Sequence, residues 1–279
     1  VNIQVVDFTA ANAPECFVQS LKETGFAVLI NHPLTSEQLT ELYQSWQAFF
    51  DSDEKQQFIF DPAKQDGFFS TETSETAKGA KNKDLKEFYH YYPWGRAPQA
   101  LASITQSYYQ QASQLASTLL DWVEQYSPEN IKQCYSQSLS SMIDSTPNTL
   151  LRVLHYPPLT GDEPEGAVRA AAHEDINLLT VLPAANEAGL QVKDKTGNWL
   201  DVPCDYGSLV INIGDMLQEA SQGYFPSTSH RVINPEGKAA FKSRIALPLF
   251  LHPKSDVVLS DRHTQASYLL ERLKELGLK

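Results

Sequence analysis

From Leu150 onward the chain is a succession of short apolar runs broken by turn residues, and this pattern restricts the fold more than any other feature of the sequence. LLRVLHY, NLLTVLP, GLQVKD, WLDVP, GSLVINIGD, HRVIN and SRIALPLFL are each about a strand long, with Gly, Pro, Asn, Asp or Lys turns between them. Closely spaced strands of this kind predict a β-sandwich or barrel. The first half reads differently. A β-like piece at Asn2 to Phe8 precedes a helical pattern from about Ala13 to Glu23, which Gly25 stops, and AVLINHP from Ala27 is a second strand. Ser36 is expected to cap a helix running to about Asp51, with Leu39, Leu42, Trp46 and Phe49 or Phe50 at helical spacing. Helix returns from Pro98 to Tyr126 and from Pro128 to Ile143, and an amphipathic helix from about Asp261 to Leu276 closes the chain. The pattern is that of a mixed α and β protein in three regions: an N-terminal helical and β region over 1–97, a helical connection over 98–146, and a β-rich region with a final helix over 147–279.

The stretch AHEDINLLTV, from Ala172 to Val181, sets a histidine and a carboxylate two residues apart just ahead of an apolar run. In a strand His173 and Asp175 share a face and Glu174 takes the other. His230, in STSHRVINP, offers a second imidazole where polar residues again give way to a β-prone run. Two imidazoles and one carboxylate on strands form the facial triad that suits non-haem Fe(II) and leaves neighbouring coordination positions open. The competing readings are weaker. A lone histidine is more often a hydrogen-bonded structural residue. A zinc-protease reading of His173-Glu174 needs a second histidine four residues on, on a helix, where this chain has Asn177 in a strand-like stretch.

Composition excludes several function classes. A chain of 279 residues with 42% apolar side chains is able to bury a large core. Its net charge of -12 argues against nucleic acid or an anionic membrane as partner, since those surfaces are met with basic patches. Cys16, Cys134 and Cys204 are odd in number, scattered and without CxxC spacing, which predicts free thiols in a reducing cytoplasm. The sequence contains neither a bilayer-spanning apolar run nor a basic signal-like start.

Taken together, LLRVLHYPP, AHEDINLLTVL, GLQVKDKTGNWLDVP, GSLVINIGDMLQ, STSHRVINP and SRIALPLFLHP resemble the catalytic core of the isopenicillin N synthase-like family of Fe(II)/2-oxoglutarate-dependent oxygenases. VVDF, GFAVLINHP and DLKEFYHYYP resemble that family's N-terminal region. The resemblance implies a double-stranded β-helix, or jelly roll, that holds a metal at one open end with helices packed outside. It implies that His173, Asp175 and His230 are the iron ligands and the catalytic centre. Arg244 falls on the family's Arg-x-Ser element, which implies a clamp for one carboxylate of 2-oxoglutarate, and Tyr156 is the implied second contact. A planar, two-pronged donor suits that carboxylate, and Lys copies it badly. The implied activity is oxidation of a small-molecule substrate, by hydroxylation, desaturation or ring closure, using Fe(II), 2-oxoglutarate and O2. Ascorbate is the implied accessory reductant, and succinate and CO2 are released.

One position departs from the family pattern. Ala246 stands where the family has Ser, and loss of one hydrogen bond to a charged group costs about 1.5–3 kcal/mol. Two readings stay open: another donor, Tyr156 or a water, takes the place of the hydroxyl, or the protein uses a different carboxylate co-substrate or none, as an Fe(II) oxidase of the same family that does not use 2-oxoglutarate. A non-catalytic metal- or ligand-binding jelly roll is the separate competing reading. The segment from Asp61 to Ala97, with Phe68, Phe69, Phe88 and Tyr89, is too long and aromatic for a linker and is expected to lie over the metal-bearing end as part of a substrate pocket. Arg152 shares a face with Tyr156 by strand parity and, with His155, is a candidate substrate contact. Asn212 and Asp215 are expected to serve turn and strand-end hydrogen bonds. His32, His90, His252 and His263 have no partner at ligand spacing and are read as ordinary.

Overall fold

The computed structural model describes residues 2–71, 83–184 and 189–275. In chain order the elements are β1 (Val5–Asp7), α1 (Ala13–Thr24), β2 (Phe26–Ile30), α2 (Ser36–Phe50), β3 (Gly67–Phe69), β4 (Glu87–Tyr91), α3 (Gln99–Gln125), α4 (Glu129–Lys132) and α5 (Leu139–Ile143). There follow β5 (Leu150–Tyr156), β6 (Ala170–His173), β7 (Leu179–Pro183), β8 (Leu190–Lys193), β9 (Trp199–Asp201), β10 (Leu209–Ile213), α6 (Asp215–Ala220), β11 (His230–Val232), β12 (Arg244–Ala246), β13 (Leu249–Leu251) and α7 (Gln265–Glu275).

Local chemistry explains most of the boundaries. Gly25 ends α1 in the left-handed conformation, φ 75°, and donates its N–H to Leu21 O. A Cβ there would run into Pro226 O and Thr228, so this glycine also lets the chain leading to β11 pack close. The cap of α2 is Thr35 rather than Ser36: its hydroxyl accepts the Gln38 N–H at 3.3 Å. The single helix expected from Pro128 to Ile143 is two short ones, because α5 starts afresh where the Glu124 carboxylate takes the Leu139 N–H at 2.7 Å. The last helix begins only at Gln265, behind the reciprocal Thr264 and Ser267 bonds, and Leu276 lies outside the described residues.

Among the described residues, nine strands form one sheet in the order β1-β2-β10-β7-β13-β5-β4-β3, with β12 also on β5, and four form a second in the order β6-β11-β8-β9. Only β1 and β2 run parallel within the large sheet's pairings. The two sheets face each other as a jelly roll, and strands from the 1–97 and 147–279 regions share the larger one. The Asp61 to Ala97 segment is thus not a plain loop. Its described ends carry β3 and β4, whose strand period is hidden in the sequence because EFYHY is buried on both faces. Residues 72–82 of that segment lie outside the described residues.

Each face of the large sheet has its own core. Its outer face packs on α1, α2 and α3 through Leu29, Leu151, Val153, Val181, Ile211 and Leu249, with Trp46 fully buried among them. Burying side chains of this size stabilises by about 1.5–3 kcal/mol each. Tyrosine hydroxyls pin the helices to carbonyls in or next to the strands: Tyr43 to Pro183 O, Tyr108 to Leu247 O and Tyr109 to Thr149 O. The inner face divides. Toward β2 and β10 it is apolar, with Phe26, Val28 and Val210 against Ala170, Val192 and Val232 of the small sheet. Toward β5 and β4 the register brings Arg152, Tyr156, Phe88, His90, Arg244 and Ala246 to the inner face. This polar, aromatic part of the inner face, called the chamber below, lies beside a dry half-core.

Candidate active site

The metal-ligand candidates meet at one mouth of the roll. His173 ends β6 and lies directly opposite His230 at the start of β11. Asp175 is not on the strand with His173, as parity alone would have it, but just beyond its end, and Glu174 is exposed. The turn carrying Asp175 is held from α6: Asp215 N–H donates to Asp175 O at 2.7 Å and Gly214 N–H to Leu178 O at 3.1 Å. Asp175 Oδ2 accepts from Thr180 Oγ1 at 2.6 Å and from Asn212 Nδ2 at 2.8 Å. Those bonds leave Oδ1 toward the histidines.

The imidazoles are set to offer lone pairs. Nδ1 of His173 faces Ala171 O at 2.8 Å and Nδ1 of His230 faces Thr228 O at 3.2 Å, so each Nδ1 carries the proton and each Nε2 is a donor of electrons. Nε2 of His173 and of His230 lie 3.8 and 3.7 Å from Asp175 Oδ1, too far for hydrogen bonds. The three ligand atoms all fall within 4.8 Å of one another. Bonds of about 2.0–2.2 Å from one central ion suit such spacing, and the donor set, two neutral imidazoles and a carboxylate, fits Fe(II). Burial and the neighbouring His230 hold the His173 imidazole down to about 4. Burial opposes ionisation of Asp175, but His230, His173, Thr180 and Asn212 together keep its carboxyl below the usual carboxylate range.

Arg244 and Tyr156 are paired across β12 and β5, both buried, with the guanidinium 5.9 Å from the ring centroid. Burial pushes the Tyr156 hydroxyl up to about 12, with Arg244 opposing. Ala246, also buried, is two residues along on the same face as Arg244 and opposite Leu154. Arg169, fully buried just before β6, stacks its guanidinium 5.7 Å from the Tyr156 ring and donates to Lys242 O at 3.0 Å. No ligand spacing or strand parity singles out Arg169 in the sequence, where the available signal is a charge beside the small-residue run AAAH.

Other residues fall out differently from expectation. Arg152 does face the chamber, over Phe88 at 4.8 Å and Phe250 at 5.7 Å, and donates to His90 Nε2 at 2.9 Å. His155 faces the helices instead, stacked on Phe50. Of the four aromatic residues, Phe69 and Phe88 stack on the chamber side, whereas Phe68 and Tyr89 pack with Phe50, Phe49 and Trp46 under α2. Asn212 is not merely a strand-end residue, since it holds Asp175. His90 and His252 are not ordinary either. Burial keeps His252 neutral down to about 4, with Asp175 and Arg152 as its charged neighbours, and burial beside Arg152 puts His90 well below the usual histidine range. His32 bonds Gly207 O and His263 lies near Glu271, both away from the triad.

A jelly roll with two imidazoles and a carboxylate converging at its mouth defines a class, the mononuclear non-haem metal enzymes. Residues 147–253 match the 2OG-Fe(II) oxygenase superfamily, and residues 3–111 match the N-terminal region of the non-haem dioxygenase in morphine synthesis. A Shewanella oneidensis protein assigned as an oxygenase is 58% identical over 100% of both chains, with a TM-score of 0.91. A 2OG-Fe(II) oxygenase family protein from Caulobacter crescentus is 30% identical over 98% of this chain and 99% of its own, with a TM-score of 0.81. Gibberellin 2-beta-dioxygenase 2 of Arabidopsis thaliana is 28% identical over 249 residues, 83% of this chain and 70% of that protein. The chain belongs to the 2OG-Fe(II) oxygenase superfamily and is a dioxygenase that uses Fe(II), 2-oxoglutarate and O2.

Proposed function

We propose that His173, Asp175 and His230 bind one Fe(II) and that Arg244, beside Tyr156, receives the far carboxylate of 2-oxoglutarate while a small organic molecule is oxidised in the adjoining chamber. The convergence of three lone-pair donors, each fixed by a bond to its other polar atom, carries the metal assignment. When bound, Fe(II) with 2-oxoglutarate and O2 supplies the oxidising power, and succinate and CO2 leave as products. The protein's residues orient and shield. Thr180 and Asn212 hold Asp175, the buried guanidinium of Arg244 neutralises the co-substrate's carboxylate, and the apolar half-core behind His230, where Phe26 packs on the imidazole at 5.5 Å, excludes water from that side. Arg152 and Phe88 stand on the chamber side where substrate would lie. No helix among the described residues is long and apolar enough to cross a membrane, and free Cys16, Cys134 and Cys204 support a reducing cytoplasm as the setting.

The testing experiment loads the protein with Fe(II) and 2-oxoglutarate and scores succinate release across a panel of small organic acids and ring compounds. Wild type is expected to release succinate with substrate and, slowly, without it. His230→Ala should lose both metal binding and turnover while melting as a folded protein. Metal binding by His230→Ala at wild-type affinity refutes the ligand assignment.

A further inference from the structure

His155 does not reach the chamber, yet with Glu87 it forms the buried centre of a polar chain on the helix side of the large sheet. Its Nδ1 lies 2.8 Å from Glu87 Oε1, and a carboxylate only accepts, so Nδ1 carries the proton. Its Nε2 therefore accepts from Gln47 Nε2 at 3.2 Å, and Gln47 Oε1 in turn accepts from Ser243 Oγ at 2.9 Å. The second Gln47 N–H goes to Asp51 Oδ1 at 3.0 Å. At the other end Lys55 Nζ neutralises Glu87 at 3.2 Å while donating to Phe50 O at 2.7 Å. From Ser243 through Gln47 to His155 each group donates to the next and on to Glu87, whose carboxylate also accepts from Lys55 on the other side.

The place of this chain gives it meaning. Register sets His155 opposite Ile245, between the Tyr156–Arg244 and Leu154–Ala246 pairs, so it stands directly behind the co-substrate residues. β12 is three residues long and, among the described residues, pairs only with β5. So short a strand with one partner strand has few ladder bonds to hold it. Ser243, the residue before Arg244, ties it to α2 through Gln47. Stability alone does not call for such a chain, since apolar residues of like shape are often as good or better in a buried layer.

We infer that Gln47, His155 and Ser243, backed by Glu87 and Lys55, are positioning residues that hold Arg244 in place for 2-oxoglutarate. The inference rests on the reading of Arg244 given above. Its test titrates 2-oxoglutarate into Mn(II)-loaded protein by calorimetry, for wild type, Ser243→Ala, Gln47→Leu, Arg244→Lys and the double variant Ser243→Ala/Arg244→Lys, with thermal melts alongside. Ser243→Ala is expected to weaken 2-oxoglutarate binding by about tenfold, within the usual range of coupling between residues in contact. Gln47→Leu should weaken it at least as much, and in turnover the KM for 2-oxoglutarate should rise while kcat at saturation holds. In the Arg244→Lys background the Ser243→Ala penalty should largely vanish, because both act through one guanidinium. If Gln47→Leu fails to fold, the two Ser243 comparisons decide. Should Arg244→Lys weaken binding while the Ser243 and Gln47 variants only lower Tm, the chain is structural and the inference is overturned. A Ser243→Ala penalty undiminished beside Arg244→Lys overturns it as well. If Arg244→Lys itself leaves the affinity unchanged, the Arg244 reading is what fails.

Discussion

Thr180→Val removes a single oxygen that bonds the far carboxylate oxygen of the proposed metal ligand Asp175, and the structure says what that oxygen does. Asp175 Oδ2 is held by Thr180 Oγ1 at 2.6 Å and by Asn212 Nδ2 at 2.8 Å, which fixes the carboxylate's rotation and reserves Oδ1 for the side shared with the two Nε2 atoms. Valine keeps the shape of threonine. Asn177 Nδ2 loses its bond to the hydroxyl but retains Leu179 O at 3.0 Å, so the packing of the turn survives. A hydrogen bond to a charged group is worth about 1.5–3 kcal/mol, and loss of such an outer partner typically costs about 10–100-fold in metal affinity. With Asn212 still in place, Thr180→Val should sit near the low end, about tenfold, and Thr180→Val/Asn212→Leu near the top, about a hundredfold. Mn(II) titration by calorimetry measures it, with a thermal melt as the control for folding. Because Thr180 helps keep the Asp175 carboxyl low, the acid limb of metal binding should also move to higher pH in the variant. A folded Thr180→Val protein that binds Mn(II) within about twofold of wild type would mean that Asp175 is not preorganised for a metal, which removes the main physical support for the triad.

Much of the fold was legible because it rests on local chemistry. The helices over Ala13–Thr24 and Ser36–Phe50 follow from apolar spacing and their stop signals, and the strand runs after Leu150 were bounded by turns that the structure keeps. The β3–β4 hairpin was not legible. Its alternation is concealed when both faces are buried, so Phe88 toward the chamber and Tyr89 toward α2 read as one aromatic cluster. In the candidate site, residue type singles out His173 and His230, which the structure brings together, but the setting of Asp175 depends on Thr180 and Asn212, which strand pairing brings together from 37 positions apart in the case of Asn212. No spacing rule reveals a bond made through sheet register. The same is true of His155, whose side of the sheet follows from parity yet whose partners Gln47 and Glu87 arrive from α2 and β4. Helix boundaries went astray where a distant group intervened, as with Glu124 at the start of α5.

Gly214→Ala should destabilise the protein, because a Cβ there would collide with Asn177 O and Oδ1 in the turn that carries Asp175. Overpacking of this kind costs about 1–3 kcal/mol, so Tm should fall by several degrees and Mn(II) binding should weaken; an unshifted melt refutes the close approach. Acid should weaken the metal-free fold. Burial holds His173 and His252 near about 4, below the ordinary 6.5, so between those values the unfolded chain binds more protons and stability declines as pH falls through the window. Melts between pH 7 and 4.5 should show this decline, shallower in His252→Gln, and a flat Tm would contradict it. Ala246→Ser addresses the co-substrate directly. Arg244 and Ala246 face the chamber two residues apart on β12, so a serine hydroxyl would stand beside the guanidinium and add one contact to a carboxylate held there. Affinity for 2-oxoglutarate should rise by up to about tenfold, the equivalent of about 1.4 kcal/mol, while Arg244→Ala should lower it by far more. Anaerobic titration of the Fe(II) protein, followed by the absorption band of the bound keto acid, reads both. If neither variant alters the affinity, the far carboxylate is not held at β12, and the co-substrate must be gripped by another part of the chamber.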